Sequence, residues 1–432
     1  MWHLKQRWHV TSMLHKNATW MLLGNGAQIL VQAMYFILMA RSLGVRQYGT
    51  FVAVVAAAAL ASPFVGNGFS SLMIKHVAHD RTQLPESLGN LLAVTLVSGV
   101  LLCAVVVPIC LVVLPRTIAP AVIIMVLVSD LLVAPYVGVA AAAFWSLERL
   151  GWTAALNVFA SLMRLTGIAV IVILHRPTVM AWSVAYVVAS TVSSIVGLGC
   201  VLWFLGMPKL GLRRIKGELR EGFYFSVSLS AQSIYNDIDK TMLARLSTLE
   251  ATGIYAAAYR LIDVAFIPVK ALLIASFPGF FREGRGGMLA ATHYGRRLLK
   301  RIVPYPLFAF VALFIGAPLV PRVLGHQYAQ VTEALRWLAV LPLLKTFHYF
   351  IADSLTGAGY QGLRTLVQIG VAVFNVLINL WIIPAHGWRG AAWSSIASDG
   401  LLALALWFAA NRLARGSHPR CEQAAKAATG PA

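Results

Sequence analysis

Hydrophobic residues fall along this chain in long unbroken blocks, not in the short alternating runs of a soluble sheet or the narrow stripes of a soluble helix. Twelve blocks are long enough to cross a hydrocarbon core. They lie near 18–40, 50–74, 88–114, 117–145, 152–174, 180–205, 222–246, 253–276, 302–320, 334–357, 362–383 and 391–411. An open strand edge finds no hydrogen-bond partner in lipid, so each block is expected to be helical. The fold class that follows is all-α: a polytopic membrane protein of about 12 transmembrane helices.

The seventh and eighth blocks repeat an earlier pattern. Moved back 204 positions without a gap, Ala231, Gln232, Ala244, Arg245, Gly253 and Ala257 fall on Ala27, Gln28, Ala40, Arg41, Gly49 and Ala53. The paired Ala-Gln and Ala-Arg steps favour an internal duplication over coincidence. The chain is therefore divided into an N-terminal six-helix bundle (1–207), a basic cytoplasmic linker (208–222), a C-terminal six-helix bundle (223–414) and a basic, disordered tail (415–432).

Composition agrees with the pattern. Of 432 residues, 59% are hydrophobic and 12% charged, where a soluble domain carries about 25% charged. The net charge of +20 does not call for nucleic acid, because the positive-inside rule accounts for much of it. With the N-terminus in the cytoplasm, inner segments hold 21 Lys and Arg, outer loops 6 and the spans 8. Both termini are thereby placed inside. The largest basic loops, 208–222 and 281–301, are topology determinants that are also suited to anionic membrane lipids. The stretch 40–50 is read as a short outer loop, and no external domain is predicted. Cys103, Cys110, Cys200 and Cys421 have neither metal nor disulfide spacing. No cofactor or metal site is predicted, and the first apolar run is too long for a cleaved signal peptide.

Polar residues inside the spans are the candidate chemistry. Asn25, Gln28, Gln32 and Tyr35 share one face of the first span, either as contacts between helices or as a cavity lining. Pro63 and Gly66-Asn67-Gly68 predict a bend in the second. Asp130 lies in span four, and Asn157, Ser161 and Arg164 share a face of span five. Arg164 is expected to line a solvated site, with a direct ion pair to Asp130 as the alternative. Asp237, Asp239 and Lys240 follow in span seven, where Asp237 and Lys240 are spaced to pair. Arg260, Asp263 and Lys270 lie in span eight beside Pro268. Lys345, His348, Asp353 and Asp399 complete the set, with His348 read as a satisfied core histidine. A charge at mid-membrane costs about 2.5 kcal/mol or more, so such residues face a bundle interior or a wet cavity. Arg164, Lys240, Arg260, Lys270 and Lys345, with Asn25 and Gln28, are the candidate substrate-binding residues, since Arg and Lys suit anionic groups. Asp130, Asp237, Asp239, Asp263 and Asp353 are the candidate proton or sodium ion carriers.

Three stretches carry a family resemblance: ARSLGVRQYGTF (40–51), NDIDKTMLARL (236–246) and TGIYAAAYRL (252–261). The chain resembles the polysaccharide-repeat (O-antigen, Wzx-type) flippases of the multidrug/oligosaccharidyl-lipid/polysaccharide exporter superfamily. That resemblance implies no enzyme. It implies a transporter that moves a lipid-linked oligosaccharide, carried on undecaprenyl pyrophosphate, to the outer leaflet of a bacterial inner membrane. Ion-coupled alternating access would supply surface polysaccharide, either lipopolysaccharide or exopolysaccharide. A polysaccharide polymerase and a chain-length regulator are the implied protein partners. A drug/cation antiporter of the same superfamily is the second reading. A membrane polymerase is the third, weakened because it would need a large external loop.

Overall fold

The computed structural model describes residues 2–416; side chains are outside that description for 2–23, 67, 78, 79, 415, 416 and many positions between 212 and 235. The tail, with Cys421, and the side chains of the basic N-terminus therefore lie outside the described residues. What is described is helical, with twelve long helices and one short amphipathic one. They are α1 (2–43), α2 (45–79), α3 (Leu84–Val113), α4 (Pro120–Ser146), α5 (Leu150–Ile173), α6 (Val179–Leu205), α7 (Leu212–Leu246) and α8 (Leu249–Gly284). There follow α9 (Met288–Ile302), α10 (Pro304–Leu324), α11 (Val331–Gly357), α12 (Gln361–His386) and α13 (Trp388–Gly416).

Among the described residues, ten helical segments are long and apolar enough to cross a membrane, the first of them running through Gly44 from α1 into α2. The helix that falls short on composition is α7, whose charges lower its mean hydropathy. The outward surface has the inverted polarity of a lipid-facing protein. Leu101, Val112, Ile195, Ile315 and Leu404 are exposed, and so are Trp203 (85%) and Trp381 (83%) near helix ends, where indole rings favour the membrane interface.

Three local expectations change. Residues 40–50 are not a loop: both helices continue to Gly44, whose φ of 80° turns the chain in a single residue. The two large basic segments are not loops either. From Leu212 the first is already α7, and most of the second is the end of α8 and then α9. α9 turns Met288, Ala291 and Gly295 inward and Arg296, Arg297, Lys300 and Arg301 outward. Its apolar positions recur at helical spacing within a polar composition, so a search for apolar blocks passes over it.

The described chain forms two compact units, up to Arg245 and from Leu246. In the first, α2 breaks at Ser62–Phe64 and at Gly66, whose φ is 71°. The break carries Pro63, as the missing N–H of proline requires. α7 packs beside it: Ser230 donates to the Leu60 carbonyl at 3.0 Å, and Phe64 meets Phe223 at 5.9 Å between ring centroids. Gly68 lies against the Gly222 carbonyl with no room for a side chain. The segment before α7 is pinned by Asn90, which accepts from Gly211 N (2.8 Å) and donates to Gly211 O (3.3 Å). Phe69, Leu72, Leu88, Leu91, Phe144 and Leu156 belong to an apolar core of this unit.

In the second unit, Phe266, Val269, Leu273, Phe280 and Phe350 join α8 to α11, with Tyr294, Leu298 and Ile302 of α9 packed against them. α8 continues through Pro268 and Pro278.

Candidate functional site

The candidate site is built on α4. Its helix opens into a wider π turn at Ser129–Val133, with Ala134 N bonded to Ser129 O at 2.7 Å. Pro135 follows and cannot donate a backbone hydrogen bond, so a carbonyl of the preceding turn lacks its helical partner. Gly99 of α3 leaves space there, since a Cβ would lie 2.6 Å from the Leu131 carbonyl oxygen.

One face of α6 stitches this turn in place. Tyr186, Ser190 and Ser194, spaced four apart, all reach α4. The Tyr186 hydroxyl donates to Asp130 Oδ1 at 2.6 Å, Ser129 donates to Ser190 at 2.9 Å, and Ser194 donates to the Val133 carbonyl at 2.7 Å. Around the tyrosine, Phe51 and Trp182 close ring contacts at 5.2 and 5.6 Å.

Above this stitched face lies a cavity of about 200 Å³. Gln28 and Gln32 line it from α1, Gly138 from α4, Asn157, Ser161 and Arg164 from α5, and Ser190 and Ser193 from α6. The Arg164 guanidinium sits 5.0 Å over the Tyr186 ring. It forms no ion pair among the described residues, with Asp130 or any other carboxylate. The tyrosine stands between them, bonded to the acid through its oxygen and stacked on the arginine through its face. Gln28, Asn157, Ser161 and Arg164 thus come together; Asn25 is exposed and outside the lining.

The other candidate residues are dispersed. Lys240 pairs with Asp237 on α7, and Asp239 is buried at 2% exposure with a partner of its own. On α8, Arg260 is half-buried and interacts with neighbours, while Asp263 and Lys270 are exposed. Lys345 is buried, donating to the Tyr259 hydroxyl at 2.7 Å with the ring centroid 4.7 Å away. Asp353 pairs with Arg364 at 3.0 Å. His348 pairs with Asp399, and Asn375, Asn379, Ser394 and Ser398 hydrogen-bond among themselves beside them. Among the described residues no group of three His, Cys, Asp or Glu side chains is placed to hold a metal ion.

Sequence reasoning missed Tyr186, Arg364 and the serine face of α6. The four-residue spacing of Tyr186, Ser190 and Ser194 was the available signal. Arg364 stands at a helix end, where a cation passes for a topology determinant.

The fold defines a class. The chain superposes on an inward-facing multidrug resistance MATE family transporter of the MOP superfamily with a TM-score of 0.76, at 14% identity over 90% of this chain and 95% of that one. Lipid II flippase MurJ, in its inward closed conformation, gives 0.76 at 10% identity over 90% and 87%. A MOP superfamily transporter from Pyrococcus furiosus gives 0.66 at 15% identity over 93% and 95%. At such identities these likenesses establish the MOP transporter fold. No curated protein matches the chain in sequence. The model of the polysaccharide biosynthesis protein family matches residues 14–283, and the chain belongs to that family.

Proposed function

We propose that the protein exports a lipid-linked oligosaccharide repeat, moving it from the cytoplasmic to the outer leaflet of a bacterial inner membrane for surface polysaccharide synthesis. The observation that carries the reading is Arg164: a cation without an ion-pair partner among the described residues, lining a polar cavity inside a membrane bundle, in a chain of the polysaccharide biosynthesis family. A pyrophosphate-sugar head is too polar to cross lipid unaided. Arg and Lys meet phosphoryl oxygens with charge-assisted hydrogen bonds. A cationic drug would be repelled by the same guanidinium, which disfavours the antiporter reading.

Arg260 and Lys270 on α8 are the further candidate cations, and Asp130, Asp239 and Asp263 the candidate ion carriers. Alternating access would come from rocking of two six-helix halves, 1–207 and 223–414, with the lipid tail left in the bilayer. No bond of the cargo need be made or broken, so the role is transport and not catalysis.

The test is surface polysaccharide in a strain lacking the native gene. Arg164→Ala, Arg260→Ala and Lys270→Ala each block it at normal protein level, while Arg260→Lys restores part. Full polysaccharide with all three alanine variants would assign these cations to structure.

A further inference from the structure

Arg164 and Asp130 belong to one arrangement although they do not touch. Asp130 sits on the π turn of α4, and its Oδ1 accepts the Tyr186 hydroxyl at 2.6 Å. The ring of that tyrosine carries the Arg164 guanidinium at 5.0 Å. The groups that face this pair can be enumerated by helix. α1 contributes Tyr35, close enough to act electrostatically on Arg164 and Tyr186, α5 contributes Arg164 itself, and α6 contributes Tyr186. α3 approaches the turn with Gly99 and brings no charge there. The local balance among the described residues is therefore one cation and one carboxylate.

That balance fixes what happens when an anion enters. With Asp130 ionised, an anion on Arg164 leaves the site with net negative charge in a medium that screens poorly. With Asp130 protonated, the anion and the guanidinium neutralise one another. Anion and proton therefore favour each other's binding, and linkage makes that preference reciprocal. The cavity of about 200 Å³ has room for an oxyanionic group.

We propose that Asp130, Tyr186 and Arg164 form a proton-linked oxyanion site: a phosphoryl or carboxylate group docks on Arg164 from the cavity, and Asp130 takes up a proton with it. No covalent bond changes; one proton passes from solvent to a carboxylate oxygen. Tyr186 is a positioning residue that holds the acid by its hydroxyl and the guanidinium by its ring. The site deepens the reading of Arg164 as a substrate cation. Its test uses small anions, so its failure is distinct from a failure of lipid export.

The full-length protein, purified in detergent, is titrated calorimetrically with sulfate and separately with glucuronate, in two buffers of different ionisation enthalpy. Sulfate stands for a phosphoryl group and brings no proton near neutral pH; glucuronate stands for an acidic sugar. The expected result is binding of at least one of them with uptake of about one proton. Sulfate alone marks a phosphoryl site, glucuronate alone a carboxylate site. Arg164→Ala abolishes binding and Arg164→Lys keeps part of it. Asp130→Asn binds without proton uptake. Tyr186→Phe keeps the ring, retains affinity at low pH within about threefold, and alters the pH profile, which a purely structural tyrosine would not do. Failure of both anions to bind the wild type, undiminished binding in Arg164→Ala, or wild-type binding without proton uptake would overturn the proposal.

Discussion

His348 Nε2 lies 3.1 Å from Asp399 Oδ1, with each side chain 2% exposed. The pair joins α11 to α13 in the interior of the second unit, one turn along from Lys345. Removing one partner takes this hydrogen bond from a buried polar side chain, at about 1–3 kcal/mol and more where a charge is involved. Asp399→Ala is therefore expected to lower the melting temperature in detergent well below that of Asp263→Ala, whose carboxylate is exposed. Equal melting temperatures would show that the pair contributes nothing to stability.

Asn90 ties the segment before α7 to the first unit by two hydrogen bonds to Gly211, and Lys209 N adds a third, to the Pro85 carbonyl at 2.8 Å. Loss of the asparagine side chain removes two of the three, about 1 kcal/mol each. Asn90→Ala should accelerate tryptic cleavage after Lys209 several-fold in the purified protein. An unchanged cleavage rate would mean that other contacts hold this segment.

Gly68 and Gly222 bring α2 and α7 into backbone contact. A Cβ at Gly68 would collide with the Gly222 carbonyl and lie 2.7 Å from Ser226 Oγ, so the helices must part. Gly68→Ala should destabilise by about 1–3 kcal/mol, as overpacking does. Gly26→Ala, with open space at its Cβ, is the matched control. A thermal shift no larger than that of the control would contradict the packing described.

Asp239 and Asp263 differ in setting: one is buried with a partner, the other exposed. If they carry the coupling ion, as proposed, replacing each with Asn leaves the protein folded and removes the dependence of export on an imposed ion gradient. Gradient-dependent export by both variants would exclude them from coupling.

The membrane architecture was legible in the sequence because apolar blocks of spanning length have few alternatives. What it concealed was local. Gly44 turns the chain in one residue, so a segment written like a loop is helix on both sides. α9 buries its apolar face within a polar composition. The site was half legible. Arg164, Asn157 and Ser161 share a face by spacing alone, and the cavity confirms that they are neighbours. Tyr186 was hidden because a tyrosine among valines reads as core, and its role depends on α4 widening to a π turn beneath it. The pairing of His348 with Asp399 joins residues 51 positions apart, which no helical spacing discloses.

Reconstitution tests the central claim most directly. Purified protein is placed in liposomes containing a lipid-linked oligosaccharide on undecaprenyl pyrophosphate, and a membrane-impermeant sugar-modifying reagent reports which leaflet holds the head group. The account predicts that wild-type protein exposes inner-leaflet oligosaccharide to the reagent far faster than empty liposomes, and that Arg164→Ala, equally well incorporated, does not. Exposure at the rate of empty liposomes with folded wild-type protein, under an imposed proton or sodium gradient of either sign, would contradict it.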